Sequence, residues 1–242
     1  MKKLSLLLSA LLLIGFTAVQ AQTTVSEGML KMEITKVDSS DPATAQQLAM
    51  MEGSTMIAHF NKSLTLMDVN MMGGMIQMKS LANKKDKTVT MYMDMMGQKK
   101  KVSTTQSEMK GGDEAAANPF ADAKITYDEK ETKEILGYKC IKAILTPTEG
   151  SEMPFTIEAY IAEDLVSDIS LIQGADENPF KGLPLEYSMK IDSEGMNMIM
   201  TYSAVEFKKK VDEASFKIDG EGYDAMTWKE FQGMTGGGGF GF

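Results

Sequence analysis

Apolar and polar residues alternate one by one through most of this chain, in short runs separated by turn residues. Over residues 29–37, Leu30, Met32 and Ile34 fall on one side and Lys31, Glu33 and Thr35 on the other. A period of two marks a half-buried strand. The same pattern predicts strands at 54–60, 64–69, 75–81, 87–95, 99–104, 124–129, 138–146, 155–161, 185–191 and 196–209. In 54–60, Met56, Ala58 and Phe60 lie together. In 87–95, Val89, Met91, Met93 and Met95 share one face, with Thr88, Thr90, Tyr92 and Asp94 on the other. The last strand sets Met196, Met198 and Met200 on one face. Asn61-Lys62, Gly73-Gly74, residues 83–86, Gly97 and residues 193–195 supply the turns.

The breaks in the pattern place the remaining elements. Asp41-Pro42 is a helix start, with Asp41 able to cap and Pro42 suited to the first helical position; Gly53 ends that excursion. Residues 106–123 show no strand period and read as a surface excursion with one helical turn. A charged lead-in from Lys130 reaches Ile135-Leu136. Gly137 then turns the chain into the strand that Pro147 stops. Residues 164–178 fit no period. Asp224 can cap a last short helix carrying Ala225, Trp228 and Phe231. The Gly/Phe tail, 235–242, is expected to be disordered. The sum is a mainly β domain over 22–234, an antiparallel sheet with one buried face and a few short helices on it that leave a slot.

Residues 1–21 change the picture of where this domain works. Lys2 and Lys3, the apolar run 4–16 and the small residues before Gln22 have the form of a secretory signal. The apolar run is shorter than the roughly 20 residues a membrane span needs. Gln22, not Cys, follows the expected cleavage point, so no lipid anchor is expected there. Export to the periplasm of a Gram-negative bacterium is expected, with secretion or attachment to the cell envelope as alternatives, and no transmembrane segment in the mature chain.

Charge and chemistry narrow the function. The formal net charge is −9, and losing Lys2 and Lys3 makes it two units more negative. Every cationic side chain is Lys. Both features argue against nucleic acid. Cys140 is the one cysteine, so no intrachain disulfide forms; it reads as a small buried hydrophobe in a strand. His59, the one histidine, sits on the polar side of its strand and reads as a surface residue. With no partner in the pattern, it supports neither a zinc site nor a Ser-His-Asp arrangement. No enzyme activity and no cofactor are expected.

Methionine is the compositional outlier, at 23 residues. Thioethers are soft ligands, so Met71, Met72, Met75 and Met78, with Met91, Met93, Met95 and Met96, form a candidate Cu(I) set. Alternation on polar-backed strands points instead to an adaptable apolar lining.

Residues 131–146, Glu-Thr-Lys-Glu-Ile-Leu-Gly-Tyr-Lys-Cys-Ile-Lys-Ala-Ile-Leu-Thr, resemble the Gly-Tyr-Lys-Cys strand of small exported proteins of Gram-negative bacteria. These include the GLPGLI family and a methionine-rich family of unknown function. Residues 180–184, Phe-Lys-Gly-Leu-Pro, resemble the first half of the motif that names the GLPGLI family. Where that motif continues Gly-Leu-Ile, this chain has Leu185-Glu186-Tyr187, and the methionine-rich group is the better likeness. Ser215-Phe216-Lys217-Ile218 before Gly222-Tyr223 is similar to that group's ending. The resemblance implies a fold like the lipoprotein carriers LolA and LolB: a curved antiparallel sheet or half-barrel closed by short helices over an apolar cavity. It implies no established activity.

The expected function is therefore a non-enzymatic binding module, a monomer that holds a lipid, an acyl chain or another apolar small molecule. Leu30, Met32, Ile34, Met56, Phe60, Met91, Met93, Met95, Met196, Met198 and Met200 are the expected ligand-binding residues. Cu(I) handling by the Met clusters is one alternative. An envelope structural protein that binds another protein and no ligand is the other.

Overall fold

The computed structural model describes residues 22–109, 123–147, 155–172, 175, 177–193 and 196–234. The expected signal, most of the 106–123 excursion and the Gly/Phe tail lie outside them. Strand β1 (Thr23–Thr24) leads into β2 (Gly28–Ser39), followed by α1 (Pro42–Leu48) and a short 3-10 turn. Hairpins then give β3 (Thr55–Phe60), β4 (Leu64–Met71), β5 (Ile76–Asn83), β6 (Thr88–Met95) and β7 (Gln98–Thr105), with α2 (Gln106–Met109) after them. Next come β8 (Lys124–Ile135), β9 (Tyr138–Thr146), β10 (Phe155–Ala162), β11 (Leu165–Val166), β12 (Leu183–Ser193) and β13 (Met196–Lys208). The last elements are β14 (Asp224–Met226) and α3 (Trp228–Met234).

Twelve of these strands form one open curved sheet, in the order β14-β7-β6-β5-β4-β3-β2-β13-β12-β10-β9-β8. Neighbours are antiparallel except β14, which runs parallel to β7; the small β1–β11 pair is also parallel. The helix start read from Asp41-Pro42 is present: the Asp41 carboxylate accepts from the Thr44 amide at 2.7 Å.

One face of the sheet is covered in two places. Around β2, β3, β13, β12, β10 and β9, residues such as Leu30, Met32, Leu145, Ile157 and Leu185 pack under the chain that follows β11. That covering segment contributes Ile169, Leu171, Ile172 and Phe180. Around β5, β6 and β7, a second cluster of Met78, Val89, Met91, Met93 and Val102 packs under Phe231 of α3.

The opposite face is mostly charged pairs laid across the strands. Lys142 bonds Glu131 at 3.1 Å, Lys133 bonds Glu186 at 2.7 Å, and Lys79 bonds Asp68 at 3.1 Å. Glu131 also accepts from the Tyr160 hydroxyl at 2.8 Å. That bond first, and the Lys142 ammonium second, holds the Glu131 carboxyl below its ordinary range. After β13, which lies inside the sheet, the chain crosses this face to reach β14 at the far edge. Its 3-10 turn, Glu213–Phe216, contacts β4, and Gly220 lies against the Tyr92 ring. Phe216, Leu66 and Met29 are buried.

Three expectations need correction. The charged lead-in from Lys130 is strand: β8 runs on to Ile135, with an irregularity in register between Asp128 and Thr132. It is an edge strand, exposed along most of its length, so it has no buried side to impose a period. Its charges also discourage further pairing at that edge. Asp224 does not cap the last helix; it opens β14. Thr227 caps instead: its hydroxyl accepts from the Glu230 amide at 3.2 Å, and the Glu230 carboxylate accepts from the Thr227 amide at 2.7 Å. Thr-x-x-Glu is a capping box, which satisfies more donors than a lone Asp. His59 is half-buried rather than a plain surface residue, between Met29 and Leu66 in the strand register.

Two hairpin turns carry a local strain. Met96-Gly97 and Leu136-Gly137 are two-residue loops with positive φ at both positions: 53° and 88°, then 51° and 80°. Turns of this kind favour Asn-Gly, because Asn tolerates the left-handed conformation. Met96 is 78% exposed and gains little from packing in return. Met96→Asn and Leu136→Asn are each expected to stabilise the fold by about 0.5–1 kcal/mol. A denaturant titration reads this as a higher midpoint at unchanged slope; lower midpoints for both would refute it.

Candidate functional site

A cavity of about 220 Å³ lies in the interval between the two covered regions. Its floor crosses the sheet from Tyr187 of β12 and Tyr202 of β13, through Ile34 of β2, to β3, β4 and β5. The roof is the segment holding Ser170, Leu171, Ile172 and Ala175. Loop, not helix, therefore closes this cavity; α3 covers the neighbouring cluster.

The floor changes character along its length. At the β12–β13 end, the Tyr187 and Tyr202 rings stack, with centroids 4.7 Å apart and planes 16° from parallel. Both hydroxyls are engaged. Tyr187 donates to the Leu171 carbonyl at 3.0 Å, and Tyr202 donates to the Met200 sulfur at 2.9 Å. The first bond ties the roof to the floor. Burial pushes the Tyr187 and Tyr202 phenols above their ordinary value, so both stay neutral.

At the other end, Val69 is ringed by methionines. Met56 faces it across β3 and Met78 across β5; Met67 and Met71 flank it two residues away along β4. Residues two apart on a strand share a face. Met56, Met67, Met71 and Met78 all border the cavity. Ser54 and Ser80 add hydroxyls at this end, and no charged side chain lines the space.

The roof is built from local hydrogen bonds. Ser170 donates to the Ile172 carbonyl at 2.9 Å, and the Ala175 amide bonds the same carbonyl at 3.1 Å. Asn178 reaches the carbonyls of Ser167, at 3.4 Å, and Gly182, at 3.0 Å, so one side chain ties both ends of the segment. Gly182 passes so close to β10 that an added Cβ would sit 2.4 Å from the Ala162 carbonyl oxygen. The Gly of Phe-Lys-Gly-Leu-Pro thus has a steric reason.

The expected ligand-binding residues are divided by this geometry. Ile34 and Met56 border the cavity. Leu30, Met32 and Phe60 are buried in the first cluster, and Met91 and Met93 in the second, under α3. Met95, Met198 and Met200 are half-buried, Met200 beneath the Tyr202 hydroxyl. The Met196 side chain lies outside the described residues. Sequence reasoning did not single out Met67 and Val69, and it placed Met71 and Met78 only in the candidate Cu(I) set; in β4, Leu64 and Leu66 on the face of Asp68 blur the alternation. Tyr187 also lay on an alternating face. The roof had no periodic signal to find.

Other chemistry is sparse. Among the described residues, no three His, Cys, Asp or Glu side chains are grouped to hold a metal ion. Cys140 is fully buried, and its thiol donates to the Tyr138 carbonyl at 3.6 Å. Burial first, then the Glu186 charge, pushes the thiol up to about 12. The His59 Nδ1 is buried without a partner among the described residues. Burial lowers the His59 pKa, assisted by Lys79 and Lys208 and opposed by Asp68.

The sequence matches no family model and no curated protein. Two solved structures align over most of it. One is a DUF1329 family protein from Desulfovibrio piger, 8% identical, covering 80% of this chain and 90% of that one at a TM-score of 0.31. The other is an outer membrane lipoprotein-sorting protein domain from Vibrio parahaemolyticus, 10% identical, covering 82% and 92% at a TM-score of 0.22. Neither superposition is close, and the fold stands on the strand pairing above. No helix among the described residues is long and apolar enough to cross a membrane.

Two outcomes follow from the isolated titratable groups. Cys140 is expected to resist a thiol-specific disulfide reagent at about pH 8 and to react fully once denatured, because only thiolate attacks. Rapid labelling of the native protein would contradict its burial. His59 is neutral in the fold at pH values where the unfolded chain already binds a proton. Its contribution to stability is complete above its ordinary value of 6.5 and is lost as pH falls from there toward its lower folded value. His59→Gln should flatten the loss of stability between about pH 7 and pH 5.5, leaving the carboxylate region below unchanged. An identical slope in the variant would rule this out.

Proposed function

We propose that this protein is an exported, non-enzymatic binding protein that holds an apolar ligand between its sheet and the loop roof. The supporting observation is the cavity itself: an uncharged, methionine- and tyrosine-lined space left open between two well-packed regions. A mostly apolar concave wall with a few hydroxyls is the usual form of a site for an apolar guest. The volume exceeds the roughly 150 Å³ that accommodates benzene and falls below the roughly 300–1,000 Å³ of drug-sized sites. A short stretch of acyl chain or a compact apolar molecule fits that range. Methionine suits such a wall, because its unbranched thioether repacks around different shapes. Ile34 and Met56, with Met67, Val69, Met71 and Met78, are the contact residues of this reading. Working as a monomer in the periplasm belongs to the same reading.

Cu(I) handling is the second reading. The observation that favours it is the ring of thioethers around Val69, on one face of adjacent strands. Titration with Cu(I) under reducing conditions separates the two. Binding no tighter than micromolar removes copper.

Native mass spectrometry of protein purified from the periplasm without detergent tests the main reading. An added mass of lipid size, lost on gentle activation, is expected. Val69→Trp should fill the space and abolish that adduct while the protein stays folded. A clean apo mass, with no uptake of an apolar fluorescent probe by the wild type, would sink the proposal.

A further inference from the structure

We infer that the cavity selects an uncharged amphiphile, an alcohol, ester or amide, and that the Ser80 hydroxyl meets its polar group. This rests on the cavity being a ligand site, and it specifies the ligand's chemistry. The polar side chains that border the space carry hydroxyls: Ser54, Ser80, Ser170 and the two tyrosines; Thr55, next to Met56, falls with Ile57 and His59 on the far face of β3. Most are already committed. Tyr187 and Tyr202 donate to Leu171 and Met200, and Ser170 donates to Ile172. Ser54 accepts the Met72 amide at 3.3 Å.

Ser80 differs. It stands in the middle of β5, opposite Met67, and its hydroxyl has no hydrogen-bond partner among the described residues. It can both donate and accept, so it can serve a hydroxyl or a carbonyl. Its neighbour Lys79 is the nearest cation in sequence. Successive side chains on a strand point to opposite faces, and Lys79 is held on the far one by Asp68 at 3.1 Å. A carboxylate or phosphate group drawn into the cavity would therefore meet hydroxyls and no cation. Burying an unpaired anion is far costlier than burying a hydroxyl that finds one partner. The geometry excludes ionised head groups by leaving them unpaired, without any clash.

The test uses decane-chain probes that differ only at one end. Decane, decanol, methyl decanoate and decanoate, at about pH 8, compete with N-phenyl-1-naphthylamine bound to the full-length mature protein. Decanol and the methyl ester are expected to displace the dye at about tenfold lower concentration than decanoate, the range set by one good hydrogen bond made or one charge left unpaired. Ser80→Ala should weaken decanol by about fivefold and leave decane unchanged. Decanoate binding as tightly as decanol, or Ser80→Ala weakening decane and decanol equally, overturns this inference and leaves the cavity reading standing. Dye bound equally by wild type and Val69→Trp, and displaced by no probe, instead overturns the cavity reading and this inference with it.

Discussion

A sheet of twelve strands has one broad face to bury, and this chain keeps little else to bury it with. Two separate pieces do the work. The segment after β11 seals the strands from β3 round to β9, and α3 seals β5 to β7. Each is anchored at its own place. The first is tied to the floor through Tyr187 and Leu171, and at its ends by Asn178. The second arrives by crossing the opposite face and turning round the β14 edge. Among the described residues their buried clusters are separate, and the cavity is the interval between them. Its existence follows from a shortage of cover more than from any single residue.

Methionine makes such an interval tolerable. Close-packed cores resist voids because the wall loses dispersion contacts. Flexible thioethers recover part of that loss by leaning into the space. The same residue type plays two parts here. Met91 and Met93 are fixed under Phe231, while Met56, Met67, Met71 and Met78 border open volume. Composition is alike on both sides; the cover above decides which methionines border open volume.

The opposite face balances the sheet by other means. Lys–Glu and Lys–Asp pairs laid across neighbouring strands satisfy charges that exposed strands would otherwise leave in water, each at small individual value. Where the chain crosses that face, Met29, Leu66 and Phe216 are buried, and His59 is caught between them and the charged pairs. Apart from the two tyrosine phenols, which stay neutral, the ionisable groups lie away from the cavity. That separation keeps its wall uncharged, which is what gives the site a chemical preference at all.

By itself, the sequence determined nearly every strand, because a half-buried strand writes its environment into alternate residues. Residues 29–37, 87–95 and 155–161 appear as strands with ends shifted by one or two positions. Asp41-Pro42 starts a helix, Gly97 and Gly137 turn hairpins, and Cys140 is buried, each for a reason local to a few residues. Edge and cover were harder to read. Lys130 to Ile135 alternate with nothing, since water lies on both sides of β8. Residues 164–178 fit no period; beyond the two-residue β11 their described residues form neither strand nor helix, and their role as a roof depends on strands distant in the chain. The tertiary structure alone decided which alternating faces stay open. Met93 and Met78 are direct cross-strand partners with the same pattern around them, yet only Met78 borders the cavity. Periodicity reports that a side chain leaves water; what it meets instead is fixed by where α3 and the roof come to rest.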